Sequence, residues 1–341
     1  MPRTVPLGNS INNMRRLLSI IIAALAMVAC GGSQKKSAPA VVEAAVIVPI
    51  FNADSAYRYV AEQVAFGPRV PNSAAHRACG DYLEERLRAC GAEVVAQNVT
   101  LTAYNGDKLQ ARNIVAQFQP QNKKRVMLCA HWDSRPWADS DPDKANHYKP
   151  ILGANDGASG VGVLLEIARN LSYAPTTVGV DIVLFDAEDY GRHENDARGA
   201  GFDHSWALGS QYWSRFPHKE NYNARYGILL DIVGAPGSTF YRERISTHYA
   251  AGIVDKVWAQ AAAEGYGNYF INEDGGLITD DHLYVNNFLN LPCIDIINCD
   301  MESENGFGKY HHTLKDDLDW IDAATLKAVG QTVMAVIYNE R

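Results

Sequence analysis

A basic surplus is missing from this chain. Its 341 residues hold 31 lysines and arginines against 39 aspartates and glutamates, a formal net charge of −8 at pH 7. A phosphate backbone needs a basic face, so no nucleic-acid partner is expected, and the acidic excess reads as solvated surface. The apolar run Leu17–Val28 is about a dozen residues, short of the roughly 20 that cross a bilayer. Cysteine is scarce, six in all, and no two stand at zinc-knuckle spacing, which excludes a thiolate metal site. Cys79 and Cys90 fall on one helical stretch, about 16 Å apart, too far for a disulfide. Cys129 and Cys293 sit in apolar strand patterns as small core residues. Setting Cys30 aside, five cysteines remain with Cys299, an odd number that leaves at least one unpaired. No Pro/Gly/Ser linker and no internal repeat breaks residues 46–341, so a single α/β domain near the upper size limit is expected there.

What is present begins with an address. Arg15-Arg16, the apolar run and the small residues around Ala29-Cys30-Gly31 make residues 1–30 an export signal, with Met14 able to serve as its start. Residues 31–45, small side chains and lysine, read as a flexible tether. The cysteine at the cut resembles the lipobox of bacterial lipoproteins, with Met27 where Leu is usual. That likeness implies an exported, periplasmic protein whose contact with a bacterial membrane is a lipid anchor on Cys30. A cleaved signal with an incidental cysteine is the alternative.

Asp54 or Ser55 can cap a helix running to Phe66, and Ser73 starts another that ends at Cys90 before Gly91. Alternating stretches Glu93–Ala103 and Leu109–Phe118 flank Asn105-Gly106, a strong hairpin signal. Apolar strands Arg125–Ala130, Val178–Phe185, Tyr226–Val233 and Pro292–Ile297 then alternate with helices Gly157–Leu171, Trp206–Arg215, Ser246–Glu264 and Asp322–Tyr338. The pattern predicts a three-layer α/β/α sandwich with a mixed, mostly parallel central sheet and the hairpin as its antiparallel edge. Ligands bind such sheets in the crevice at the carboxyl ends of the strands.

Three clusters follow those strands: His131-Trp132-Asp133 leading to Asp156, then Asp186-Ala187-Glu188-Asp189, then His311-His312-Thr313 through a longer loop. Singly, an Asp after a strand is most often a turn residue, and a lone His an ordinary one. Jointly they reach one rim of one fold. Zinc takes four N, O or S ligands and keeps one position open for catalysis. Asp156 opens a helix from a Gly/Ala-rich turn, Asp189 directly follows a buried strand, and His312 follows the Gly306-Phe307-Gly308 loop. The adjacent carboxylates of Glu188 and Asp189 repel unless a cation sits there, which leaves Glu188 as the acid/base.

The order His131-x-Asp133, Asp156, Glu188-Asp189, Leu230-Asp231-Ile232, Asp281-His282 and His312-Thr313 resembles the M28 zinc aminopeptidase superfamily, from about Ala53 to Tyr338. Within it the chain resembles the bacterial branch of the glutaminyl-peptide cyclotransferases, or glutaminyl cyclases. Asp280-Asp281-His282 stands where the aminopeptidases typically carry Ser-Asp-His. Leu230–Pro236 matches a cyclase motif, Phe307 precedes His312 as a pocket aromatic, and the insert Arg135–Leu152 with Pro136-Trp137-Ala138-Asp139 is typical of that branch. Asp189 departs from the Glu of many relatives, and His311 stands where animal cyclases carry Trp.

The resemblance implies conversion of N-terminal glutamine of peptides or proteins to pyroglutamate. One Zn²⁺ per chain would be held by Asp156, Asp189 and His312, with Glu188, Asp231 and Asp280 as the catalytic carboxylates. Phe307 and Trp206 would touch substrate, and His131, Asp133 and His282 would brace the site from behind. The main alternative is a secreted M28-type zinc aminopeptidase, with His131, Asp156 and Asp231 around a second zinc and Glu188 as the hydrolytic base. A non-enzymatic lipoprotein is a third reading, but it expects an eroded site. Asp139-Ser140-Asp141-Pro142-Asp143 reads as an exposed acidic loop without the register of a calcium site, and His193, within Arg192–Arg198, as a solvent-exposed histidine.

Overall fold

A computed structural model of the protein describes residues 46–196, 204–303 and 306–341. The export signal, the tether, Cys30 and the end of the Arg192–Arg198 loop lie outside these residues.

Helix α1 (Ala53–Val64) is capped two residues before the earlier of the two expected positions. Asn52, not Asp54 or Ser55, accepts the Ser55 N–H at 2.9 Å, and Asn ranks with Asp and Ser as an N-cap. Helix α2 (Ala74–Ala89) is capped by Ser73, whose hydroxyl accepts the His76 N–H at 3.0 Å, and it stops before Gly91 at φ +84. Strands β1 (Glu93–Thr102) and β2 (Lys108–Phe118) form the expected antiparallel hairpin. The sheet is completed by β3 (Arg125–His131), β4 (Gly179–Phe185), β5 (Gly227–Asp231) and β8 (Cys293–Ile297), in the order β1-β2-β4-β3-β5-β8. Strands β3, β4, β5 and β8 run parallel, and β2 joins them antiparallel to β4. Every residue of those four parallel strands is buried, as a sheet covered on both faces requires.

The side-chain period of two divides the core. Val126, Leu128, Ala130, Ile182, Leu184, Ile228 and Leu230 face one large apolar cluster. Met127, Cys129, Val183, Phe185 and Leu229 face a smaller one built on Trp213 and Tyr222. The larger layer holds α1, α2, α3 (Ala158–Tyr173), α5 (Arg244–Ala263) and α7 (Ala323–Tyr338); the smaller holds α4 (Leu208–Arg215) and the short α6 (Asp281–Tyr284). Helix α3 lies close on β5 at Gly160, where a Cβ would stand 2.2 Å from the Leu230 carbonyl oxygen. Cys79, Cys90, Cys129, Cys293 and Cys299 are all free thiols.

Two features escaped the sequence. Phe240–Arg242 (β6) and Phe270–Asp274 (β7) pair as a separate parallel ribbon, each too short to show a period. Helix α5 begins two residues before Ser246, because the Glu243 carboxylate accepts the N–H groups of Ile245 (2.8 Å) and Ser246 (2.6 Å). A glutamate can cap when its longer side chain folds back on the first turn.

Candidate active site

Strand β3 ends in His131 and β5 in Asp231, while Glu188 and Asp189 follow β4 and Asp156 precedes α3. The turns that carry the carboxylates are clamped in the same way. Buried Asp133 accepts the N–H groups of Glu188 (3.0 Å) and Asp189 (3.2 Å). Buried Asp316 does the same for Asn155 (2.7 Å) and Asp156 (3.1 Å). Two successive amides aimed at one carboxylate fix the turn and turn its side chains outward. Asp133 was expected behind the ligands; Asp316 carries no sequence signal beyond being an acid downstream of Thr313.

Around these turns the side chains converge. The His312 Nε2 lies 3.2 Å from Asp189 Oδ1 and 3.5 Å from Asp156 Oδ2. Both Asp189 carboxylate oxygens are buried without a hydrogen-bond partner among the described residues. Buried, undonated carboxylate oxygens are costly unless a cation meets them, and a set of two carboxylates and one imidazole suits zinc. Burial, with the Asp156 carboxylate beside it, pushes the Asp189 carboxyl well above the usual range. Burial and the Arg135 guanidinium hold the His312 imidazole down at about 3, neutral and free to offer a lone pair. These residues fit a metal.

Two further groupings share Asp156. The His131 Nε2 stands 3.0 Å from Asp156 Oδ1 and 3.2 Å from Asp231 Oδ1, a geometry in which the three could also hold an ion. His311 Nε2 is 3.7 Å from Asp156 Oδ2, with the ring stacked on His312 at 3.7 Å and against Phe307 at 4.6 Å.

One cavity of about 470 Å³ collects most of the expected residues. Asp156, Asp189 and His312 line it together with Glu188, Asp231 and Asp280, and Trp206, Phe307, Leu277 and Ile278 supply its apolar wall. Trp206 lies parallel to His312, 9° between planes and 5.8 Å between centroids. Burial, then the Asp280 carboxylate, pushes Glu188 well above the ordinary range. Asp231 rises to about 7 through burial, against the pull of His131, and burial raises Asp280. Burial thus favours the protonated form of each of these three carboxyls.

His131, Asp133 and His282 do not line the cavity; they stand behind it. His282 Nε2 is 3.1 Å from Glu243 Oε2, and Glu243 also accepts the N–H of Ile278 at 3.0 Å, tying the cavity wall to the start of α5. Glu243 was not foreseen.

Two expectations about loops were wrong. In the acidic loop Pro142 and Asp143 are exposed as expected, but Asp139 and Asp141 are buried. Asp139 grips Arg135, and Asp141 accepts from the Asp143 and Leu314 N–H groups and the Asn146 amide. His193, expected in solvent, is 2% exposed: it stacks on Tyr148 at 4.7 Å and meets the edge of Trp137 at 5.7 Å. The aromatic residues of the insert give this loop a small core of its own.

A sequence model of peptidase family M28 matches residues 113–337, which takes in β3 through α7 and every ligand candidate. The chain belongs to peptidase family M28. Among solved M28-like structures, a Zn-dependent exopeptidase from Parabacteroides distasonis is 57% identical, with a TM-score of 0.85 over 86% of this chain and 100% of that one. The glutaminyl cyclase of Bacteroides thetaiotaomicron, solved with N-acetylhistamine bound, is 55% identical, with the same TM-score and coverage. The aminopeptidase YwaD of Bacillus subtilis is 26% identical over 237 residues, 67% of this chain, and the match spans only 44% of that protein. The α/β/α fold with a mixed sheet is thus the M28 fold, as the alternation of strands and helices predicts.

Proposed function

We propose that this chain is a zinc-dependent glutaminyl-peptide cyclotransferase, acting on peptides or proteins that begin with glutamine. The observation that carries the reading is the shared cavity, where three buried carboxyl side chains, Glu188, Asp231 and Asp280, adjoin a ligand set fit for zinc. The likeness at 55% identity to a glutaminyl cyclase along its whole length supports it.

Asp156, Asp189 and His312 would hold one zinc ion per chain, which when bound acts as a Lewis acid on the γ-amide carbonyl. Glu188 takes a proton from the attacking α-amine nitrogen as the new N–C bond forms. It then gives that proton to the amide nitrogen as the old C–N bond breaks and ammonia leaves. Burial and the Asp280 carboxylate raise Glu188, which suits it to hold and release that proton, and Asp231 lines the same cavity. Attack within one residue starts at high effective molarity, so positioning carries much of the rate. Trp206 and Phe307 wall the cavity and keep out water, whose attack would yield glutamate instead.

The aminopeptidase reading is favoured by one feature, the closeness of His131, Asp156 and Asp231, which could share a second ion. A side-by-side product assay separates the two. Purified protein on a Gln-initiated peptide is expected to release ammonia and leave a blocked N-terminus, with no cleavage of Leu- or Ala-initiated peptides. Cleavage of the latter without cyclisation of the former reverses the assignment.

We also propose that residues 1–30 direct export and that Cys30 carries a lipid, placing the domain at a periplasmic membrane surface. Growth with a labelled fatty acid should mark the wild-type chain and not Cys30→Ala; equal labelling of both removes the anchor.

A further inference from the structure

The insert after β3 contains a buried ion pair to which no role has been assigned. Arg135 and Asp139 have fully buried side chains, with Arg135 Nε 2.7 Å from Asp139 Oδ1 and Nη2 on Oδ2. Taking a guanidinium out of water is costly unless its donors are met, so where they go is informative. Nη1 donates to the Asp189 backbone carbonyl at 3.1 Å and Nη2 to that of Arg192 at 3.3 Å. Nη1 also lies 3.6 Å from Asp189 Oδ1, the same oxygen that His312 Nε2 approaches. Its plane sits over Trp206 at 4.5 Å, and Trp206 stacks on His312.

The Asp139 end reaches the other late ligand. Asp139 Oδ1 is 3.9 Å from His312 Nδ1, Asp139 Oδ2 accepts the Glu194 N–H at 3.0 Å, and the next residue, Ser140, donates its N–H to the His312 carbonyl at 3.1 Å. The Asp156 turn needs none of this, being clamped by Asp316.

We propose that the Arg135–Asp139 pair is a positioning device that holds Asp189 and His312 in ligand register and thereby sets how tightly zinc is bound. The inference rests on the reading of those two residues as zinc ligands. Asp189 and His312 come from loops far apart in sequence, and the neutral pair is a bracket from the Asp189 main chain to the imidazole of His312, whose own carbonyl is held by Ser140 next to Asp139. A lysine at 135 would keep the charge and lose the planar fork that satisfies Asp139 and the two carbonyls together.

Two variants and a control decide it. Arg135→Lys keeps the charge. The double variant Arg135→Met, Asp139→Leu removes the pair without stranding a charge, an exchange that need not cost stability. Zinc affinity by chelator competition, measured on protein shown to be folded, is expected to fall about 10- to 100-fold in both, the usual effect of losing a group that orients a ligand. The visible spectrum of the cobalt(II)-loaded protein should shift as well, a change that a merely structural role would not produce. Folded variants whose affinity stays within about threefold of wild type, or rises, with an unchanged cobalt spectrum overturn the proposal; this is well outside the usual loss. If the double variant does not fold, Arg135→Lys alone decides. Asp189→Ala is the control. Weak zinc binding there with wild-type binding in the Arg135 variants overturns the bracket alone, and unimpaired binding in Asp189→Ala overturns the ligand assignment beneath it.

Discussion

Glu188→Gln is expected to lower kcat on a Gln-initiated peptide by about 10²- to 10⁴-fold, the span over which a positioned acid/base acts. The substitution is nearly isosteric, and the contact that places this residue is made by its backbone N–H to Asp133 Oδ1, so the turn stays in place. Zinc binding should also survive, since Glu188 is not among the proposed ligands. What disappears is the ability to accept a proton from one nitrogen and give it to another. Burial and the Asp280 carboxylate raise Glu188 well above an ordinary carboxyl, the direction that suits a group which must both take and give a proton. The loss should therefore appear in kcat with KM little changed. Asp280→Asn should cost less, because it removes a neighbour that tunes Glu188 and not the shuttle itself. A Glu188→Gln protein that keeps more than about a tenth of wild-type kcat removes this residue from the proton path, being below the smallest effect such a group usually has.

The parts of this site that could be read from sequence are those where one strand delivers one residue. Strands β3, β4, β5 and β8 declare themselves as mostly apolar runs, broken only by Asp181 and Asp295 inside them, and the acids and histidines at or near their ends stand out against them. Glu188 and Asp189 were visible for that reason, Asp156 from its Gly/Ala-rich turn, and Asp231 and Asp280 from the resemblance; the fold brings them to one cavity. The supporting groups were not visible. Arg135 and Asp139 look like ordinary charges in a loop, and their burial depends on carbonyls of Asp189 and Arg192 more than fifty residues further on. Asp316 is spent on backbone N–H groups of another segment, and Glu243 divides its carboxylate between the start of its own helix and the distant Ile278 N–H and His282, uses that no neighbour in sequence announces. His193 misled for the converse reason: its flanking charges suggest water, while Tyr148 and Trp137 from the insert cover its ring. Ligands repeat a local pattern; the groups that orient them answer to tertiary contacts.

Removing the metal should have the other large effect. Protein stripped with a chelator is expected to lose nearly all cyclisation activity, and His312→Ala should resemble it without chelator, because His312 Nε2 lies near both Asp156 and Asp189. Without a cation Asp156, Asp189 and Glu188 share a dry cavity in which Asp189 has no donor among the described residues. The stripped protein should therefore melt at a lower temperature. Zinc at about a thousand times its dissociation constant should restore about 4 kcal/mol of stability in the wild type and far less in His312→Ala. The titration also weighs the rival site of His131, Asp156 and Asp231. If one equivalent of zinc restores full activity, His131 acts only through its 3.0 Å and 3.2 Å contacts to Asp156 and Asp231, steering carboxylates and binding no ion. If activity returns only as a second equivalent binds, His131, Asp156 and Asp231 would hold that second ion, the ligand set of the aminopeptidase reading, where a metal pair would supply an activated water.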